Sequence, residues 1–471
     1  MVDRLLGALV SDAALPAVVL RGDAAIPIAG ITHDSRKVAE GFLFCCLPGV
    51  NADGHDFAAA AVAAGASALL VERELDLEIV QLVVPNARAA MGLLASAFWA
   101  HPSRSLTVVG VTGTNGKTTT VNLIASVLEH AGVPTGMVGT LTGKHTTPES
   151  PDLQETLAGF VADGKRAVVM EVSSHGLELH RADGCHFDVA VFTNLGRDHL
   201  DLHGTMERYF AAKAMLFEAG RSEVGVANVD DPHGRLLVDA DPIPMISFSR
   251  HDMSDLQVGP TSHSYLWRGQ RVQVGIGGAF NAMNSLAAAT ACAALGLHPA
   301  VVAEGLSAAG TVPGRFEPVR AGQPFDVIID FAHTPDGLRE ALKAARSAAG
   351  SGHVTVVFGC GGDRDTEKRP EMGHVAAELA DRVVVTSDNP RSEDPISIIN
   401  AIIAGVPADY RSHVVSEPDR RQAFALAFQG ATAGDVVVIA GKGHETTQTI
   451  GGDAIPFDDR AVARELLEVA Q

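Results

Sequence analysis

With 471 residues, 46% of them hydrophobic, 20% charged and 5% aromatic, the chain is too long for one hydrophobic core and too apolar to be disordered. Its formal net charge of -20 argues against nucleic acid or an anionic membrane as the main partner, so an anionic small substrate must be met by local Arg, Lys or metal. Five scattered cysteines (Cys45, Cys46, Cys185, Cys292, Cys360) without CxxC spacing indicate neither a disulfide framework nor a zinc site and fit a reducing cytoplasm.

The N-terminal stretch is interrupted by Asp3 and Asp12, which makes it a poor signal peptide, and no apolar run approaches the ~20 residues needed to insert in a bilayer. The first hundred residues read as short strands and Ala-rich helices, closing at the polar joint His101-Pro102-Ser103. Leu106 to Val111 is then a β-branched run, followed by a Gly-rich turn and a helix from Lys117 to about His130. Further apolar runs at Ala167–Met170, Val189–Phe192, Val327–Ile329, Val354–Phe358, Val383–Val385 and Val436–Ile439 alternate with helix-length segments. The expectation is an α/β protein with mainly parallel sheets in three domains: 1–103, a central P-loop ATPase domain over 104–314, and a Rossmann-like domain over 315–471.

Each apolar run is followed by polar residues, and in open parallel sheets ligands bind beyond the carboxyl ends of the strands. Gly113-Thr114-Asn115-Gly116-Lys117-Thr118-Thr119 joins strand to helix, where backbone N–H groups can cradle phosphates, Lys117 can neutralise them and Thr118 can ligate magnesium. Val111 stands where the strict Walker pattern has Gly, so the loop is a variant. Glu171 and His199 end the next two strands as candidate magnesium ligands. In isolation each is an ordinary cap or loop residue; together, after a phosphate loop, they point to a metal–phosphate site. Lys213 lies on an apolar helical segment, where a lysine ordinarily snorkels to the surface; burial would instead leave a neutral amine able to take up carbon dioxide as a carbamate.

GTNGKTT, MEVSSHGL, FTNLGRDHLDLHG, YFAAKAMLF, GAFNAMN, PGRFEPV, AHTPDGL, FGCGGDRD, DNPR and GKGHE, in this order, resemble the Mur ligase family. In the first domain, Asp34-Ser35-Arg36 and Leu47-Pro48-Gly49 through Asp53-Gly54-His55 resemble that family's uridine-diphosphate-binding unit. The resemblance implies an ATP-dependent ligase that forms an amide through an acyl phosphate. It also implies that Thr118, Glu171, His199 and a carbamylated Lys213 organise Mg2+, while Asn281, Arg315 and Asp330 face ATP. Ser35, Thr146, Thr147, Ser173 and Arg181 would hold a UDP-N-acetylmuramoyl dipeptide precursor; Leu179 departs from a Gln found in some relatives.

Asp388-Asn389-Pro390-Arg391 matches members that add meso-diaminopimelate rather than lysine. Diaminopimelate carries one more carboxylate than lysine, and a guanidinium fork can pair with it bidentately. Arg364 and Arg391 would supply that charge, with Asp388, Asn389, Pro390, Gly441 and Glu445 completing the site. The attacking amine must lose a proton, for which His199 and His333 are the candidates. The expected protein is a cytoplasmic monomer that binds no nucleic acid. Other acceptors, as in lysine-adding or folylpolyglutamate-type ligases, and a non-catalytic nucleotide switch are the alternatives.

Overall fold

The computed structural model describes residues 4–15, 17–49 and 52–469. Among them, no helix is long and apolar enough to cross a membrane. Three α/β layers follow one another along the chain. The first is a five-stranded sheet in the order Val19–Arg21, Val80–Val83, Ala66–Val71, Phe42–Cys45, Gly30–Thr32, parallel except for its first pair.

The second is a six-stranded, wholly parallel sheet whose middle strands are Phe187–Phe192, Thr107–Thr112 and Ala167–Glu171. Side chains alternate across a strand, and here both faces are covered, which is why these strands read as continuous apolar runs. Val109, Val111, Val169, Val189 and Val191 pack with helices Lys117–His130 and Ala279–Ala294, while Val108, Val168, Met170, Ala190 and Phe192 face Leu153, Leu177, Tyr209 and Phe217. Thr107–Thr112 is therefore central, and its carboxyl end opens where neighbouring strands deliver Glu171 and Thr193.

The third sheet runs Glu317–Val319, Asp326–Asp330, Val436–Ala440, Val354–Phe358, Arg382–Val385, Val414–Ser416 and is parallel apart from its first, antiparallel pair. Its strand ends carry Asp330, Asp388 and Gly441. All seven strand runs and the helix starting at Lys117 stand where the apolar patterning places them, with bounds shifted by at most two residues. An antiparallel sheet, Ser254–Val258, His263–Trp267 and Gln270–Val274, lies outside the mainly parallel expectation. Its last hairpin turns at Arg268 and Gly269, both at positive φ (47° and 77°), as a tight two-residue turn requires. The hairpin buries Tyr265, Trp267, Val272 and Val274 from alternate positions, a one-sided pattern that long apolar runs do not reveal.

Candidate functional site

The phosphate loop is shaped by its glycines and by the strand beside it. Gly113 and Gly116 sit at φ +144° and +88°, and a Cβ on either would collide with Thr193 Oγ1 or Asn284 Oδ1. The loop is pinned by Thr114 N to Asn194 O (2.9 Å), Asn115 N to Asn194 Oδ1 (3.0 Å) and Thr193 Oγ1 to Asn115 O (2.7 Å). A close-approach cradle opening onto a helix N-terminus suits polyphosphate. Thr119 is buried just inside that helix, and Lys117 Nζ folds back on Gly113 O and Thr114 O, both at 2.8 Å.

Thr118 Oγ1 donates to Glu171 Oε1 at 3.0 Å and accepts from Arg315 Nη2 at 2.9 Å. Glu171 also receives Thr140 N and Thr140 Oγ1, at 2.8 and 3.2 Å. A hydroxyl and a carboxylate, both hard oxygen donors, fit magnesium, which prefers few protein ligands. Among the described residues, no cluster of three or more His, Cys, Asp or Glu suited to a metal occurs.

Lys213 is 1% exposed, not a snorkelling surface residue. Its Nζ donates to Gly113 O at 2.9 Å and lies 4.4 Å from the centre of the Tyr209 ring. Burial, aided by the nearby Lys117 charge, pushes its ammonium well below the usual lysine range. Lys117 is lowered as well, chiefly by burial and then by Arg315. His199 stands at the far side of this group at positive φ (53°), its ring 6.3 Å from that of Tyr209, whose hydroxyl meets Thr114 Oγ1 at 3.1 Å.

Asn281 and Asn284 lie one helical turn apart beside Gly116, joined by Asn284 Nδ2 to Asn281 Oδ1 at 3.0 Å. Asp330 is buried and receives Phe316 N (2.7 Å) and Ala332 N (2.8 Å); burial raises its carboxyl, and Arg315 opposes the shift. Arg315 also lies 4.4 Å over Phe331. It thus ties the third layer directly to the phosphate loop. Arg197 to Glu367 (2.7 Å) and Arg197 N to Asp336 (3.3 Å) make further crossings. His333 is pushed down to about 4 by burial and then by Lys368, which makes it a weak proton acceptor at neutral pH.

Ser35 lines a cleft of about 290 Å³ with His33, Phe44, Phe57 and Arg88. From Arg88 a chain of contacts leads to Glu149 (3.4 Å), on to Arg181 (2.8 Å), and to the carbonyl of Thr147 (3.2 Å). Thr147 Oγ1 meets Ser173 Oγ at 3.2 Å, and Thr146 meets Thr140 at 3.1 Å. The five residues expected at the precursor therefore lie along one path between the first and second layers. Leu179 caps the short helix Ser174–Glu178. Asp53 and His55 serve that cleft as a brace: His55 Nδ1 meets Asp53 Oδ1 at 2.6 Å and its Nε2 accepts Glu72 N at 3.0 Å.

At the carboxyl end of the third sheet, segments 360–369, 388–393 and 441–450 meet. Asp388, Asn389 and Pro390 are buried, and Asn389 Nδ2 donates to Glu445 Oε2 at 2.7 Å. Arg391 sits at φ +54°, a backbone strain for a non-glycine residue. It is held by Arg391 N to Thr449 O (3.0 Å) and by Nη1 to Gly362 O (2.5 Å), beside the exposed Arg364. Gly441, at φ +111°, leaves room for the Asp388 carboxylate, which burial raises while Arg420 and Lys442 oppose the shift. Sequence reasoning passed over Asn284, Thr140 and Arg420, and gave Lys442, within GKGHE at a strand end, no role. Asn284 had a visible signal, three residues after Asn281 on one helix face, whereas Thr140 and Arg420 come from segments with no motif.

The sequence from 111 to 292 matches the Mur ligase middle domain, 314–443 the Mur ligase glutamate ligase domain, and 27–99 the Mur ligase family catalytic domain. The chain is 46% identical over 462 residues to a UDP-N-acetylmuramoyl-L-alanyl-D-glutamate--2,6-diaminopimelate ligase of Geobacillus kaustophilus, covering 93% of this chain and 94% of that one. This chain belongs to the Mur ligase family. A Streptomyces coelicolor Mur ligase of the same name is 44% identical over 478 residues, covering 95% and 94% of the two chains. A solved Mur ligase structure, again of that name, superposes with a TM-score of 0.67 at 35% identity over 94% of this chain and 95% of that one. The Mur ligase MurF of Thermotoga maritima, solved with ADP, shares the fold at 22% identity and a TM-score of 0.65, over 93% and 96% of the chains.

Proposed function

We propose that this Mur ligase uses ATP to join the D-glutamate γ-carboxylate of UDP-N-acetylmuramoyl-L-alanyl-D-glutamate to an amino group of meso-diaminopimelate, a step of peptidoglycan biosynthesis. It acts as a monomer in the cytoplasm. Residues 1–103 hold the nucleotide precursor, 104–314 the ATP and 315–471 the acceptor. The reading is carried by the pairing of a glycine-cradled phosphate loop, tied through Arg315 to the third layer, with an acceptor pocket that presents Arg364 and Arg391 beside Asn389 and Glu445.

A carboxylate is a poor acyl donor because its oxide is a poor leaving group. One oxygen of the γ-carboxylate therefore attacks the γ-phosphorus of ATP, the bond to the β,γ-bridging oxygen breaks, and ADP leaves. Lys117 and Arg315 stand beside the phosphate loop, where they offset charge on the transferring group, since this chemistry depends on positioning and electrostatics. Thr118, Glu171, His199 and a carbamylated Lys213 would hold magnesium, which supplies further charge neutralisation at the phosphates when bound. The acceptor amine, having lost a proton, attacks the acyl carbon, and phosphate departs with the former carboxylate oxygen. Thr146, Thr147, Ser173 and Arg181 orient the precursor's peptide, and Ser35 its nucleotide. Arg197 holds the third layer beside the loop that carries it, through Asp336 and Glu367, and further closure of the layers on bound substrate would limit the access of water to the acyl phosphate.

The test is ATP-dependent phosphate release with the precursor, comparing diaminopimelate with L-lysine and weighing the product. Turnover with diaminopimelate and the corresponding tripeptide mass is expected; turnover with lysine alone would overturn the acceptor assignment.

A further inference from the structure

Lys442 has no part in the chemistry above, yet its side chain is fully buried at the centre of the acceptor loops. Its ammonium has three donors, and three acceptors meet it: Glu445 Oε2 at 3.0 Å, Asn389 Oδ1 at 3.3 Å and Thr447 O at 2.5 Å. Asn389 Oδ1 also accepts Thr449 N at 2.9 Å. Two donors on that oxygen decide which way the amide lies, so Nδ2 must face Glu445, to which it donates at 2.7 Å. Both bonds to the glutamate fall on Oε2, so Oε1 takes no part in the clamp.

The clamp rests on a second buried cation. Arg420, 2% exposed, pairs bidentately through Nε and Nη2 with the two carboxylate oxygens of Asp459 (2.8 and 2.6 Å) and donates to Ser387 O (3.3 Å) and Ala440 O (3.1 Å). Those carbonyls immediately precede Asp388 and Gly441, so Arg420 aligns the two strand ends and Lys442 joins the side chains that rise from them.

We propose that Lys442 is the positioning residue of the acceptor pocket: its buried ammonium locks Glu445 and Asn389 into one unit, so that the Glu445 carboxylate is fixed where it receives the ammonium at the far end of the acceptor amino acid. The inference deepens the acceptor-ligase reading and rests on it. Lys442 itself touches no substrate, its three donors being spent within the protein.

The experiment measures kcat and the separate KM values for acceptor, precursor and ATP in the full-length enzyme, for Lys442→Met, Glu445→Gln and the double variant. A charged hydrogen bond sets the scale, so each single variant should raise the acceptor KM roughly tenfold or more while the ATP KM holds. The double variant should be no worse than the poorer single one, because both act through one carboxylate. Lys442→Arg, which keeps the charge but cannot serve all three acceptors, should fall between wild type and Lys442→Met, and it decides the matter if Lys442→Met does not fold. An unchanged acceptor KM, an equal rise in all three KM values, or additive effects in the double variant would overturn the proposal. If wild type prefers lysine, the diaminopimelate assignment fails, while the Lys442 inference is still decided by the same ratios measured with lysine.

Discussion

Lys117 and Lys213, from different helices, donate to one oxygen, the carbonyl of Gly113, at 2.8 and 2.9 Å. Two ammonium groups sharing a buried acceptor repel one another, and Lys213, less exposed than Lys117, bears the larger penalty. A neutral amine at Lys213 is a nucleophile for carbon dioxide.

Depleting dissolved carbon dioxide should therefore lower turnover, and bicarbonate should restore it. Lys213→Met should lower kcat by roughly 10²-fold or more without unfolding the protein, as loss of a charged group beside transferring phosphate implies. Steady-state rates in degassed and bicarbonate-supplemented buffer, with mass spectrometry of the unquenched protein, check this. Insensitivity to bicarbonate would count against the carbamate.

Arg391 owes its placement to its neighbours rather than to its own preference, since it is held at φ +54° by Thr449 and Gly362. Arg391→Met should reduce kcat/KM for diaminopimelate by about 10²-fold and leave that for lysine almost unchanged, because only the former loses a charge-paired carboxylate. Parallel assays with both amino acids give the ratio; an equal drop for both would remove Arg391 from acceptor selection.

Gly116→Ala places a Cβ against Asn284 Oδ1 at a backbone angle of +88°. The strain should cost about 1–2 kcal/mol of stability, and displacement of the loop should weaken ATP binding at least about tenfold. Thermal melting and nucleotide titration separate the two effects.

His263 is buried, with Nδ1 2.6 Å from Ile276 O and Nε2 2.8 Å from Ser285 Oγ. Burial lowers its pKa from 6.5 to about 4. Between those values the unfolded chain binds the extra proton and the fold does not, so the contribution of a neutral His263 to stability is fully present above pH 6.5 and is lost as pH falls toward 4. The shift amounts to about 3 kcal/mol. Denaturant midpoints from pH 7 to pH 4 should fall, and His263→Gln should flatten that slope even though its stability at pH 7 is lower.

The order of apolar runs was enough to read the parallel strands and the polar residues that follow them. Continuous apolar runs specify buried parallel strands because both faces must be covered, and the residues following them, from Gly113 to Thr119, Glu171, and Asp388 to Arg391, fall at strand ends for the same reason. Local patterning also places Lys117 at a helix start and Asn284 one turn beyond Asn281. Which of those strand-end loops meet is not legible along the chain and comes from packing. Arg315 reaches Thr118 across 197 residues because the third layer docks on the second, whereas the burial of Lys213 and the contacts of Lys442 and Arg420 with the strand-end loops follow from packing within one layer. Burial, hydrogen-bond partners and the shifts they cause arise from groups remote in the chain, and no local period of 2 or 3.6 residues encodes them.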